Sequence, residues 1–461
     1  MKMKKYFVAV PLSLALLLPT AGLASASDHS HGGGTMTTMT AGAAETSNKA
    51  VDLRAALDSL LSEHAYLAVI AMQKGIDGKG DFDAAAGALL QNADDLSKAV
   101  ASVYGEDGGA AFKEIWTSHI GYFVDYVKAT GAKDDAAKKK ALADLDDYRV
   151  KQAAFLDTAT GGRLKAKELE EGLKVHINQL VWAFDNYVAG DFDKTYDSLR
   201  ESIHHMYGVG KGLSWAITDQ FPDQFDSKTV DTPAAELRAS LNHLFSEHAA
   251  LAILAMQKGI DGAKDFNASA AALNENTDEL SAAIASVYGK EGGEAFKKIW
   301  SSHIGYFVDY VKATGAKDDA AKAKAIADLD KYRAEQAAFL DTATEGRLKA
   351  ADMEAGLKMH VDELLKAFNS YTEMDYSMTY PTVREAYAHM YEVGLGVTSA
   401  IVDQFPDQFA GKMPTEMPQT GMGGMSHQKS STSDILMISL LIMAMAVLIP
   451  FFIARRNASK S

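Results

Sequence analysis

The chain has 461 residues, no cysteine, and 61 acidic against 46 basic side chains. The absence of thiols excludes disulfides, thiolate metal sites and covalently attached c-type haem. The acidic balance, without a basic stripe interleaved with aromatics, argues against nucleic acid as a partner.

At the N-terminus, Lys2, Lys4 and Lys5 precede an apolar run from Tyr6 to Leu18 and the small-residue stretch Ala24-Ser25-Ala26. This pattern predicts a signal peptide over 1–26. Residues 27–51 are polar and Gly-rich, and are expected to form a disordered arm.

From residue 52 the chain is dominated by Ala, Leu, Lys, Asp and Glu, and apolar positions recur at helical spacing. Six segments follow, at Asp52–Lys74, Asp81–Tyr104, Gly108–Thr130, Asp134–Thr158, Lys165–Val188 and Asp191–Gln220. Asp81, Asp134 and Asp191 suit helix N-caps, and glycines punctuate the segments. The whole block then recurs. Ser118–Lys138 and Ser302–Lys322 are identical, an offset of 184 (302 − 118) that holds without a gap from Leu53/Leu237 to Phe225/Phe409. The predicted fold is therefore all-α: two homologous antiparallel bundles of about six helices each, in tandem at 52–226 and 236–409, joined by a linker at 227–235.

The remaining segments are a flexible tether at 410–434, a transmembrane segment at 435–454 and a basic cytoplasmic tail at 455–461. Within the tether stands Met417-Pro418-Gln419-Thr420-Gly421. With the apolar span and basic tail behind it, this motif resembles the sorting signal of Gram-positive surface proteins. The resemblance implies that sortase cleaves between Thr420 and Gly421 and links the protein to the cell wall. Without cleavage the span stays as a single-pass anchor. Either way the helical domains face outward, at the cell surface.

Eight histidines carry the candidate chemistry: His64, His119, His176 and His205, and at the same offset His248, His303, His360 and His389. Each lies within an apolar stripe, as His119 does among Ile115, Trp116, Tyr122 and Phe123. Burying an unpaired polar group costs roughly 1–3 kcal/mol, so four imidazoles per bundle require partners that the flanking residues do not supply. The last two helices of the repeats have diverged: Trp182 and Trp215 face Lys366 and Ser399, and His204 faces Ala388. His176/His360 and His205/His389 persist through that divergence.

Neutral imidazoles in an apolar bundle are good ligands for copper or zinc. Facing pairs could instead bind haem b, for capture or electron transfer. Asn92/Asn276 and Trp116/Trp300 are candidates to support the ligands, and Glu63/Glu247 and Asp125/Asp309 are the nearest carboxylates in sequence. Glu63, adjacent to His64, points away from its face and is expected in solvent or behind a ligand. Met/His tracts in both tails, including His29, His31, Met36, Met39, Met422 and His427, favour copper.

The segments EHAxLA, YGxxGGxAFKxIWxSHIGYFVDY, LDxYR and HMY resemble a group of duplicated secreted helical proteins of Bacillus-like bacteria, some labelled copper amine oxidase-like. The resemblance spans most of residues 53–409 and implies a surface protein; the Asn-Tyr-Asp/Glu cofactor motif of the amine oxidases is not matched, because Asn186-Tyr187 is followed by Val188. No nucleophile–base pair, phosphate loop or acid pair stands out, so an enzymatic activity is not expected apart from metal or haem chemistry. The leading expectation is sequestration or presentation of a transition metal outside the cell. A structural or adhesive surface module is the third reading.

Overall fold

The computed structural model describes residues 45–410. The expected signal peptide, sorting motif, transmembrane segment and basic tail lie outside the described residues, as do most of the arm and nearly all of the tether. The described residues are helical and contain no strand. The helices are α1 (Lys49–Ile76), α2 (Phe82–Ala132), α3 (Asp135–Ala159), α4 (Ala166–Ala189) and α5 (Phe192–Gln220), then a single 3₁₀ turn (Pro222–Phe225). The second repeat supplies α6 (Pro233–Ile260), α7 (Phe266–Ala316), α8 (Asp319–Ala343), α9 (Ala350–Thr372), α10 (Tyr376–Gln404) and the one-turn α11 (Pro406–Phe409).

The segments predicted at Asp81–Tyr104 and Gly108–Thr130 are the two legs of α2, joined by one residue rather than a loop. Gly105 sits at φ 78°, ψ 169°, a region that only glycine occupies readily. The legs then run back past each other, so that Gly75 of α1 lies against both Phe82 and Val127. Gly109 makes the bend possible, since a Cβ there would fall 2.6 Å from Ala101 Cβ and 2.7 Å from the Ser97 carbonyl. Gly289 repeats the geometry in α7, at φ 76°, ψ 170°.

α1 packs on both legs of α2, on α4 and on α5; α6 does the same with α7, α9 and α10. Both central helices are buried on nearly every face, with their charged residues paired inside the protein. α1 is long and apolar enough to cross a membrane, but 89% of its apolar window is buried inside the protein. Its leucines and valine instead fill the core, at about 1.5–3 kcal/mol for each large side chain fully buried.

Two boundaries differ from expectation. The arm predicted to be disordered to residue 51 is ordered from 45, because Thr46 is buried against Ser399 and the Asn48 side chain caps α1. The linker is partly inside as well. Val230 is fully buried, its carbonyl accepts from Arg54, and Thr232 caps α6 ahead of the expected start at 236.

The repeats are not separate bodies, since the largest apolar cluster draws residues from both. Across their contact, ion pairs are exchanged reciprocally. Arg384 donates to both oxygens of Glu63 at 3.0 Å, and Arg200 to both oxygens of Glu247 at 3.1–3.2 Å. Arg54 pairs with Glu236 at 2.6 Å, and Arg238 with Asp52 at 2.5 Å. At the centre the hydroxyls of Tyr207 and Tyr391 bond to each other and to Ser246 and Ser62, respectively. This exchange of equivalent partners is the pattern of an isologous twofold interface.

Candidate metal centre

Three of the four histidines of each repeat converge. His64 comes from the middle of α1, His119 from the second leg of α2 and His176 from α4. One nitrogen of each lies within 4.8 Å of the others, and His248, His303 and His360 form the same group. The Nε2 atoms of His64 and His119 are 3.1 Å apart, as are those of His248 and His303. Two imidazoles bound to one ion at 2.0–2.1 Å in a tetrahedral site place their nitrogens about 3.3 Å apart. The spacing of the His64–His119 and His248–His303 pairs fits that requirement, with His176 and His360 close beside them.

The second nitrogen of His119 fixes its tautomer. Nδ1–H donates to the carbonyl of Trp116, one turn earlier on the same helix, and His303 donates likewise to Trp300. The Nε2 lone pair is thereby aimed into the group, as when metal-ligating histidines are oriented by a backbone acceptor. Burial holds all three imidazoles neutral. Desolvation drives His119 down to about 3, and it drives His64 and His176 well below the usual range, their histidine neighbours adding to the effect. Neutral imidazoles with free lone pairs at physiological pH are what a borderline-soft cation needs.

The surrounding shell is aromatic but not wholly apolar. The Trp116 ring lies 4.8 Å from both His64 and His119, and Tyr148 stacks on His119 at 4.5 Å. Fully buried Gln152 follows Tyr148 by one helical turn and lines a cavity of about 60 Å³ with Trp116 and His176. Seven polar atoms of this cluster have no partner within the chain: His64 Nδ1, both nitrogens of His176, Trp116 Nε1, the Tyr148 hydroxyl and both amide atoms of Gln152. The seven equivalent atoms of His248, His360, Trp300, Tyr332 and Gln336 repeat the pattern. At about 1–3 kcal/mol each, seven orphaned groups would consume most of a domain's net stability of about 5–15 kcal/mol. They call for a partner that the polypeptide does not provide.

His205 and His389 stand apart from the triads. His205 Nε2 is bonded to the Gly172 carbonyl at 3.1 Å, whereas His389 Nδ1 meets Glu363 at 2.9 Å. Their partners differ between the repeats, while the triad geometry does not. Asn92 is a helix tie: its amide donates to the Leu60 carbonyl at 2.9 Å and to Glu63 at 2.7 Å, and Asn276 does the same with Leu244 and Glu247. Glu63, expected in solvent or behind a ligand, is buried and held by Arg384 of the other repeat. Asp125 and Asp309 lie on exposed positions. Trp116 and Trp300 touch the group, through carbonyl and ring. Haem fits poorly, because imidazole nitrogens in contact at 3.1 Å leave no gap for a macrocycle between them.

Comparison with known protein families, curated proteins and solved structures finds no match to this chain. The site must therefore be read from its own geometry. Tyr148/Tyr332 and Gln152/Gln336 are the members that sequence reasoning missed. A signal was present: both persist between the repeats while Asp147, Val150 and Lys151 give way to Lys331, Ala334 and Glu335.

Proposed function

We propose that each repeat is an antiparallel helical bundle binding one transition-metal ion, copper, through three imidazoles. One site comprises His64, His119 and His176, the other His248, His303 and His360. The observation that carries this reading is the convergence of three neutral, buried imidazoles in both repeats, one of them oriented by a backbone acceptor. An all-nitrogen donor set without thiolate favours Cu²⁺ over Zn²⁺ in intrinsic affinity, and the Met/His tracts of the tails are consistent with copper. With the signal peptide and the C-terminal anchor read from the sequence, the protein would sequester or present the ion outside the cell.

Elemental analysis after exposure to stoichiometric Cu²⁺ or Zn²⁺ and desalting tests the reading. The expected result is two ions per chain, falling to one in His119→Ala and to none in His119→Ala/His303→Ala. Protein that remains metal-free overturns it.

A further inference from the structure

We infer that the ion in each triad keeps one exchangeable position, and that this position opens into an apolar chamber that admits a small exogenous donor molecule of a few heavy atoms. The inference rests on the metal reading above. Three observations lead to it.

The first is the ligand count. The remaining imidazoles and the nearest buried carboxylate are engaged elsewhere, His205 on a carbonyl, His389 on Glu363 and Glu63 on Arg384, and the unpartnered Gln152 amide and Tyr148 hydroxyl are not part of the chamber wall described next. Three protein ligands with the fourth position left open is the arrangement of reactive rather than storage sites.

The second is space. A cavity of about 300 Å³ lies between α1 and the two legs of α2 and has His64 and His119 in its wall. Ala68, Ala71, Met72 and Phe123 make the rest of that wall apolar, and the exposed Lys128 stands at its edge. Water occupies about 30 Å³ per molecule in the liquid, so the chamber holds several molecules of that size.

The third is the internal comparison. Sixteen residues line the chamber, and all sixteen have the same residue type 184 positions on. Seven of them fall in the block that is identical throughout and carry no weight. Ala71, Met72, Gly75 and Ile76 lie in a second identical run, 71–78 against 255–262, and are discounted likewise. The other five, His64, Ala68, Phe82, Ala86 and Leu89, lie in segments that have changed around them, as where Leu61, Tyr66, Val69 and Ile70 of α1 correspond to Phe245, Ala250, Ile253 and Leu254. The cavity on the Gln152 side shows the contrast, with Leu61, Val100, Leu169 and Leu213 replaced by Phe245, Ile284, Met353 and Val397. Core on the Gln152 side has been repacked between the repeats, and the chamber has kept its lining residues.

The test uses the full chain loaded with two equivalents of Cu²⁺ and titrated with azide. A saturable azide-to-copper charge-transfer band, with two azides per chain, is expected. Ala71→Phe/Ala255→Phe, which fills the chamber, should retain two copper ions and a helical circular dichroism spectrum while binding azide at least about tenfold more weakly. If that variant misfolds, Ala71→Leu/Ala255→Leu gives a smaller plug, and the wild-type titration stands regardless. Copper bound at two equivalents with no azide band would overturn the open position and leave the metal reading intact. An azide affinity unchanged in a folded plugged variant would overturn the chamber as the route. Failure to bind copper at all overturns the reading beneath both.

Discussion

The buried imidazoles make the metal-free protein acid-labile, with a sign that their burial fixes. In the unfolded chain each histidine takes up a proton near pH 6.5; in the folded chain desolvation holds His119 and His303 down to about 3 and the other four triad members well below the usual range. The unfolded state therefore binds more protons between these limits, and stability falls as pH falls. At pH 5 His119 and His303 each cost about 2 kcal/mol relative to neutral pH, and the other four triad members act in the same direction. Asp58 acts in the opposite sense. Burial pushes its carboxyl up to about 8, so the stability it contributes is present at low pH and lost as pH rises through that value. It returns about 3 kcal/mol over the same interval. The six triad histidines together outweigh that single carboxyl, so the net change is a loss of stability against a total of about 5–15 kcal/mol for an ordinary domain. Apo-protein should unfold cooperatively near pH 5, followed by far-UV circular dichroism. Copper-loaded protein should resist to lower pH, since a ligating nitrogen cannot be protonated until the ion leaves. Apo-protein whose urea midpoint is unchanged between pH 7 and pH 4.5 would refute this reasoning.

Further outcomes follow from single contacts. His176→Ala should abolish metal binding in the first repeat only, while His205→Ala should leave both ions bound, as counted by elemental analysis. Asp58→Asn, which installs the residue found at Asn242, should stabilise the fold by about 1–3 kcal/mol at pH 9 and little at pH 6, read from thermal melts at both values. Gly105→Ala forces a Cβ into a left-handed bend and should cost about 1–3 kcal/mol in urea titration, whereas Gly87→Ala, mid-helix and in open space, should be neutral or stabilising. Arg384→Ala strands the buried Glu63 and should cost about 3 kcal/mol; adding Glu63→Gln should recover part of it, and a double-mutant cycle without coupling would contradict the pairing.

Helical periodicity and the repeat offset made the helices and the histidine faces legible before any coordinates. Periodicity tells which face of a helix is buried, and not which other helix covers it. His205 illustrates the gap: it sits in an apolar stripe and survives divergence, yet its imidazole finds the Gly172 carbonyl and never reaches the triad. Tyr148 and Gln152 were obscured by their neighbours Asp146, Asp147, Arg149 and Lys151, which give that helix a solvated look although one face is sealed. The Gly105 bend was hidden for a different reason. A lone glycine between two helical segments reads as a short loop, and only the close approach of Gly109 to Ser97 shows that no loop is needed. The partner of Glu63 lies 321 residues away, beyond any local pattern.

The reciprocal arginines bear on where such a chain could come from. A single repeat cut free would expose the apolar surface that now joins the two halves, and would leave Glu63 buried without its cation. Two copies of that half-length chain could repair each other, because each carries both the glutamate and the arginine that the other needs. The duplicated chain thus has the form of a dimer written into one gene, with two histidine triads held in fixed ratio and no equilibrium by which dilution could separate them.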